Sequence, residues 1–336
     1  MTSQGFIRRA AGRGRPGAGL TATAAAVLAA GALCGAAAPA GGAGGTGGRI
    51  DPSTRADLLE AMRGEAYAYA AYRAYAVQAG REGLPQVRTL YEDIAETELR
   101  EHFAEQAELA GLVGDNAANL RDAMSGESYE AATMYRRFAT EAKTDGDFAA
   151  ANRFSEIAKD ESRHHDDFAE ALRAVTDPSS GAVVPAGQAA ESKGVPAGPP
   201  RADRERTLRN LRTAMEGEAF AHAKYDLYAE QARKTGQPAL ARLFDRTARV
   251  ELAEHFAEEG RLAGLVRDTR TNLCTTIRGE TEEGTHLYLG FARRAAQAGD
   301  QAAAKRFEKT ASDELRHARR FRRALDALGG TCPGAG

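Results

Sequence analysis

A chain that repeats itself in register along its helical length folds in few ways, because whatever the first copy forms the second forms as well. AMRGEAYAYAAY at 61–72 returns as AMEGEAFAHAKY at 214–225, and ELREHFAE at 98–105 returns as ELAEHFAE at 251–258. ANLRDAMSGESYE at 118–130 matches TNLCTTIRGETEE at 271–283, and KDESRHHDDF at 159–168 matches SDELRHARRF at 312–321. Glu218 follows Glu65, and His317 follows His164, by the same 153 residues, so the copies align without a gap. They occupy 52–175 and 204–328. Between them, 176–203 is rich in Gly, Pro and Ser and has no periodicity, the mark of a linker partly extended by its prolines.

Each copy reads as four helices. In the first they run near 54–80, 84–112, 116–144 and 147–175, broken at GREGLP, GLVGDN and TDGD. In the second they run near 204–233, 237–265, 269–297 and 300–328. Ala, Leu, Glu and Arg dominate, apolar residues recur at three and four, and β-branched runs are absent. The expected fold is all-α, with eight long helices in two four-helix bundles.

The acids sit on the wrong face for a solvated helix. Leu58, Ala61, Glu65, Ala68 and Tyr72 share one side of the first helix, so Glu65 projects into the core. The third helix repeats this with Leu120, Ala123, Glu127, Glu130 and Met134, and the fourth with Phe154, Ile157, Glu161, His164 and Phe168. The second carries Ile94, Glu98 and then Glu101 or His102. A buried ionised carboxylate costs several kcal/mol, and no matching set of core Lys or Arg is written in the sequence. One such acid alone reads as a solvated surface group, since 27% of the chain is charged. The same positions in four helices, repeated at constant offset, read instead as the dimetal pattern of helical bundles, with oxygen and imidazole ligands suited to iron or manganese. Four of the seven histidines fall at these positions, leaving His165, His222 and His286 as ordinary polar or packing residues. Gly64, Gly126, Gly217 and Gly279, each just before an acid, suggest close approach of neighbouring backbone near the site.

The remaining composition narrows the function. A net charge of −2 gives no bulk reason to expect nucleic acid as a partner. The three cysteines form no CxxC pair; Cys274 and Cys332 could pair in an oxidising compartment. Arg8, Arg9, Arg13 and Arg15 precede an Ala-rich apolar stretch and a small-x-small site at Ala38-Pro39-Ala40. Residues 1–40 therefore read as a signal peptide, 41–51 as a flexible lead-in and 329–336 as a tail. The expectation is an exported protein with no membrane span once the signal is removed. The Arg8-Arg9 pair hints at a twin-arginine route, although Ala10 and Ala11 continue it poorly.

GEAYAYAAY, IAETELREH, NLRDAMSGESYEAATMY and IAKDESRHH together resemble the diiron domain of the rubrerythrin family, within the wider ferritin-like group, over nearly all of both repeats. The second acid on helix three, Glu130 and Glu283, is the most diagnostic part. The resemblance implies a first site of Glu65, Glu98, His102, Glu127, Glu130, Glu161 and His164. It implies a second of Glu218, Glu251, His255, Glu280, Glu283, Glu314 and His317, with two iron ions at each, manganese being the alternative metal. It also implies that Tyr72, Tyr135, Tyr225 and Tyr288 serve catalysis by hydrogen-bonding the ligand carboxylates. The activity implied is reduction of hydrogen peroxide, or of oxygen. The family's attached rubredoxin domain has no counterpart among these cysteines, so an external electron donor is required. The competing reading is a ferritin-like iron-binding or iron-oxidising protein without peroxidase turnover. Oligomer formation stays open.

Two spacing questions remain. Glu98 and His102 are four apart where a Glu-x-x-His pair is usual, and Glu251 and His255 repeat the oddity. Either Glu101 and Glu254 replace the histidine, or a π-bulge of one extra residue returns His102 and His255 to the site; the HF continuation favours the bulge. Glu98 to Glu127 is only 29 residues, against 33 from Glu65 to Glu98. So short a link favours exchange of helix pairs between repeats over two self-contained bundles. Exchange would keep the residues and regroup the sites.

Overall fold

The computed structural model describes residues 50–333. The signal-peptide reading of 1–40 and nearly all of the lead-in therefore lie outside the described residues, as do the last three residues of the tail. The eight expected helices are present: α1 (Pro52–Arg81), α2 (85–110), α3 (116–145), α4 (Phe148–Thr176), α5 (Glu205–Lys234), α6 (238–263), α7 (269–298) and α8 (Gln301–Ala327). Among the described residues there are no strands, and no helix is long and apolar enough to cross a membrane.

The packing crosses the repeats. α1 and α2 of the first repeat pack with α7 and α8 of the second, while α3 and α4 pack with α5 and α6. One four-helix bundle, here the split bundle, is thus assembled from the two ends of the described chain. The other, the contiguous bundle, is built from its middle. The link explains the choice. α2 ends at Gly111 in the left-handed conformation (φ 62°), and α3 restarts at Asn116 with the Asp115 carboxylate accepting from Ala118 N at 2.7 Å. These few residues cannot carry the chain back along α2, a helix of about 40 Å. Grouping the sites by repeat, as the resemblance implied, is therefore incorrect: the repeats are units of sequence and the bundles are not.

The bundles meet where α1 packs on α5, around a pseudo-symmetric pair of aromatic contacts. Tyr67 meets Phe256 with ring centroids 5.9 Å apart, and Phe220 meets Phe103 at 6.0 Å. Each partner of one pair lies 153 residues from a partner of the other. The Arg212 guanidinium covers Tyr67 at 3.5 Å. Inside the contiguous bundle Tyr225 packs against Phe168 and Phe244; in the split bundle Tyr72 packs likewise against Phe321 and Tyr91.

Two further ties distinguish the bundles. Cys274 of α7 and Cys332 beyond α8 are joined by a disulfide in the split bundle. The linker is bound along α6 of the contiguous bundle. Lys193 N donates to Ala253 O (2.8 Å), Gly198 N to Val266 O (3.0 Å) and Arg201 N to Leu262 O (2.8 Å). Arg246 donates to the carbonyls of Ala186 and Gly187. Gly264 is required here twice over: its φ is 65°, and a Cβ would fall 2.4 Å from Pro200 N.

Candidate metal centres

Each bundle carries one candidate site on its inner helix faces, and each site draws on both repeats. In the split bundle Glu65 comes from α1, Glu98 and His102 from α2, Glu280 from α7, and Glu314 and His317 from α8. In the contiguous bundle Glu127 comes from α3, Glu161 and His164 from α4, Glu218 from α5, and Glu251 and His255 from α6. All twelve side chains are buried.

The sequence oddity of α2 and α6 is a π-helical segment in both copies, Glu98–Phe103 and Glu251–Phe256. Its wider turn brings Glu98 and His102, four apart, onto the same inward line. Glu101 is exposed, and Glu254 instead accepts from the backbone N of Glu191 in the linker at 2.5 Å. The bulge is thus the geometry adopted, with His102 and His255 inside. A second pair of π segments, not expected from sequence, follows Glu130 and Glu283 (Glu130–Met134 and Glu283–Leu287).

The internal geometry repeats four times. The Nδ1 atoms of His102 and His317 both face the Glu98 and Glu314 carboxylates, at 2.8 and 3.0 Å for His102 and 3.0 and 3.0 Å for His317. In the contiguous site Glu161 and Glu251 stand in the same relation to His164 (2.9 and 3.1 Å) and His255 (3.1 and 2.9 Å). Two carboxylates per site therefore lie between two imidazoles. The other two each divide their oxygens. Oε2 of Glu65, Glu280, Glu127 and Glu218 faces a histidine Nδ1 at 3.6–3.7 Å. Oε1 accepts a tyrosine hydroxyl: Tyr288 on Glu65, Tyr72 on Glu280 at 2.6 Å, Tyr225 on Glu127 and Tyr135 on Glu218. Tyr72, Tyr135, Tyr225 and Tyr288 thus each hydrogen-bond a cluster carboxylate of the other repeat.

The electrostatics are those of crowded acids. Burial, then the carboxylates of Glu161 and Glu251, raise Glu127 to about 8. Burial, then Glu314, raise Glu280 to about 8. Burial alone would lower His317, but its carboxylate neighbours Glu280, Glu314 and Glu98 win and raise it to about 12. Many of the inward atoms have no hydrogen-bond donor, including both oxygens of Glu98 and of Glu251 and Nδ1 of His102 and His255. Each histidine and the three carboxylates that face it offer ligand atoms that all lie within 4.8 Å of one another. Buried oxygen and imidazole lone pairs aimed at one point are costly without a cation, and two divalent ions per cluster would satisfy them. The residues fit a dimetal group.

Glu130 and Glu283 stand outside these tight clusters, half-buried beside them. Burial, followed by the nearby cluster carboxylates, pushes both well above the usual range. The expected close approach of backbone is not found at any of the four glycines, and Gly126 meets only the Lys224 side chain, at 3.9 Å. A Cβ on Gly217 would lie 3.4 Å from Glu130 Oε1, a side chain and not backbone; Gly64 and Gly279 face open space and nothing in the structure explains them. His222 Nδ1 donates to Ala248 O (2.8 Å) and the ring stacks on Tyr69, while His165 and His286 lie away from both sites.

Sequence reasoning missed the partners behind the histidines. Asp313 Oδ2 lies 3.4 Å from His102 Nε2, and Asp160 Oδ2 lies 3.5 Å from His255 Nε2. Such a carboxylate fixes the ring so that Nδ1 faces inward. The signal was present in the repeated Asp-Glu doublets 160–161 and 313–314. Also missed were Gln106, whose Nε2 contacts Glu65 and the Tyr288 hydroxyl at 3.4 Å, and its counterpart Glu259, which accepts from Tyr135 at 3.0 Å.

The family model described as rubrerythrin matches residues 57–172 and 252–325. The first match takes in α1–α4 almost whole; the second begins after Glu251, so Glu218 and Glu251 rest on the repeat and the geometry. A rubrerythrin of Nitratidesulfovibrio vulgaris is 36% identical over 129 residues, covering 34% of this chain and 67% of that protein. A nigerythrin from the same organism is 34% identical over 135 residues (36% and 67%). A rubrerythrin of Porphyromonas gingivalis is 35% identical over 129 residues (34% and 64%). The chain thus spans about two thirds of the length of these relatives. No solved structure matches significantly.

Proposed function

The chain belongs to the rubrerythrin family, and on that premise we propose that it is an exported non-haem diiron protein that reduces hydrogen peroxide, or oxygen, with electrons from an external donor. The observation that carries this reading is the arrangement, present in both bundles, of two imidazoles, two shared carboxylates and two tyrosine-held carboxylates. Iron pairs held there would supply the two-electron exchange that peroxide reduction needs.

The chain's own groups do the rest. Glu98 with Glu314, and Glu161 with Glu251, would hold the ions from between the two imidazoles of each site. Glu65, Glu280, Glu127 and Glu218 would hold the ions through Oε2, because a tyrosine hydroxyl occupies Oε1 of each. Glu130 and Glu283, half-buried beside the clusters, are the residues that would supply a further carboxylate to each site. Conversion of one hydrogen peroxide to two waters consumes two electrons and two protons. Tyr72, Tyr135, Tyr225 and Tyr288 hold buried hydroxyl protons against the ligand carboxylates, and burial pushes each well above the ordinary tyrosine range. They stay protonated at neutral pH and are placed to steady a proton at the site. The disulfide supports the export part of the reading, because disulfides persist in oxidising compartments.

The absence of any CxxC pair in the sequence favours a second reading, iron binding or oxidation without turnover. One experiment separates them. The purified chain is loaded with iron, its metal content measured, and the reduced protein mixed with peroxide while diiron charge-transfer absorbance is followed. About four irons per chain and rapid return of absorbance are expected. Fewer than about two irons would remove both readings; full loading with no response to peroxide would leave only the second.

A further inference from the structure

The two sites open to their surroundings differently. Beside the split site a cleft of about 430 Å³ lies between α2 and α8, reaching the edge of His317 and lined by Arg316, Arg319, Arg320 and Arg323. His317 is the most exposed of the four site histidines, at 6% against 1–2% for the others. The two acids of the cleft do not neutralise it. Asp313 already contacts Arg316, Lys309 and His102, leaving Glu101 as the other. Arg320 reaches Asp93 only at 3.8 Å. Among the described residues Arg319 and Arg323 have no carboxylate within 4 Å.

The corresponding face of the contiguous bundle is reversed in charge and covered. Where α8 has Arg319, Arg320 and Arg323, α4 has Asp166, Asp167 and Glu170; only Arg163 matches Arg316. The linker lies across this face: the Glu191 backbone N donates to Glu254, Lys193 N to Ala253 O, and Arg163 to Gln188 Oε1 at 3.5 Å. Among the described residues α2 has no such strap at the equivalent Arg100 and Glu101.

We propose that the arginine cleft of α8 is the docking surface for an acidic electron-carrier protein, which serves the split site and not the contiguous one. The proposal rests on the need for an external donor stated above and names that donor's chemistry and landing place. A protein fits better than a small anion because the arginines follow one side of α8 over two turns, about 10 Å. Their charges form a stripe and do not converge on a point. Several carboxylates spaced over a carrier's surface complement a stripe, and the steering such charges provide raises association rates. His317 both lines the cleft and belongs to the site, so the cleft reaches the site directly.

The test uses the full chain, iron-loaded, and an acidic flavoprotein carrier as probe, with a basic haem carrier of similar size as the opposite-charge control. Binding is measured by calorimetry without peroxide, so the outcome is independent of turnover. The flavoprotein is expected to bind at low ionic strength and to weaken about tenfold or more between about 0.05 and 0.3 M salt, while the haem carrier does not bind. R319E/R323E should cost at least about tenfold, whereas D166K/D167K should leave flavoprotein affinity unchanged. Metal content and circular dichroism report whether the variants fold. Arg323→Gln alone gives the same direction at smaller size if the double variant does not. Equal binding of both carriers, or undiminished flavoprotein binding to R319E/R323E, would overturn the proposal. So would citrate binding that R319E/R323E abolishes while the flavoprotein stays unaffected, which would make the cleft a small-anion site. A flavoprotein that binds as expected to a chain that ignores peroxide would leave the docking surface standing and remove the peroxidase reading.

Discussion

The split and contiguous sites share their six buried candidate ligands and their tyrosine contacts but differ in almost everything around them. Where the split site has Gln106 against the Tyr288–Glu65 pair, the contiguous site has Glu259 against Tyr135–Glu218. Where the split bundle has Ala71, the contiguous one has the buried Lys224, paired with Asp122 at 2.8 Å and opposing, without overcoming, the upward push of burial and nearby carboxylates on Glu130. The split bundle is stapled by a disulfide and open at an arginine cleft; the contiguous bundle is strapped by its linker. The inward faces follow the constraint of holding cations, and the outward faces are free of it.

The largest effect that could break the comparison is loss of metal. Glu98→Ala and Glu314→Ala come from different repeats but one site, so each single variant and the double should lose about half the bound metal. E98A/E161A, both in the first repeat, should lose nearly all. Metal analysis decides; a double E98A/E314A that empties the protein would show that the sites are not independent or not crossed.

Next in size is the staple. The Cys274–Cys332 bridge closes a separation of 58 residues, so C274S/C332S should destabilise the split bundle by about 2–4 kcal/mol. Thermal denaturation should then resolve two transitions with the lower one moved, and an unmoved lower transition would mean that the bridge contributes nothing.

Glu259 tests the buried surroundings. Its Oε2 has no hydrogen-bond partner, and burial pushes its carboxyl well above the usual range. Glu259→Gln, which copies the split site, should stabilise the metal-free protein by about 1–3 kcal/mol, and Gln106→Glu should cost a similar amount. Denaturant midpoints at neutral pH measure both; equal midpoints for all three proteins would remove the distinction.

The smallest effect is the pH dependence of the metal-free chain. Glu127 and Glu280 titrate at about 8 when folded, against an ordinary 4.5. The folded protein therefore holds protons that the unfolded chain releases over that interval, and stability is full below 4.5 and falls as pH rises toward about 8. His317, raised from 6.5 to about 12, adds loss in the same direction above 6.5. Glu251, held low because the burial penalty is overcome by His164 and His255, acts only in acid. Melting temperature of chelator-treated protein should fall from pH 5 to about 8. Metal should stabilise most at the alkaline end, and a rise with pH would contradict the assignment.

Much of this was legible in the sequence because it is periodic or repeated. The helices, the inward acids and the one-residue surplus in ELREHFAE each follow from spacing along a single helix. Which helix meets which was legible only through one spacing, the short link between Glu98 and Glu127. Copies with the same inward residues pack equally well within or across repeats, so only the short turn at Gly111 breaks the tie, and it does so through chain length. The linker was unreadable. Its bonds to α6 run mostly through backbone groups, which every residue possesses, so no side-chain pattern announces them. Gln106 and Glu259 escaped because each sits one turn beyond the motif and is polar where Ala or Leu would have been unremarked.

The crossing of the repeats has a consequence for assembly. A single repeat on its own would hold only half of each site and would have to find a second copy, so dilution would dismantle it. Joining the two copies in one chain replaces that encounter by an intramolecular one, at an effective concentration in the millimolar range for a short connection. It also frees the two sites to diverge. In a dimer of identical chains a substitution lands in both sites at once, whereas here Glu259, Lys224 and the arginines of α8 each alter one site and leave its twin as it was.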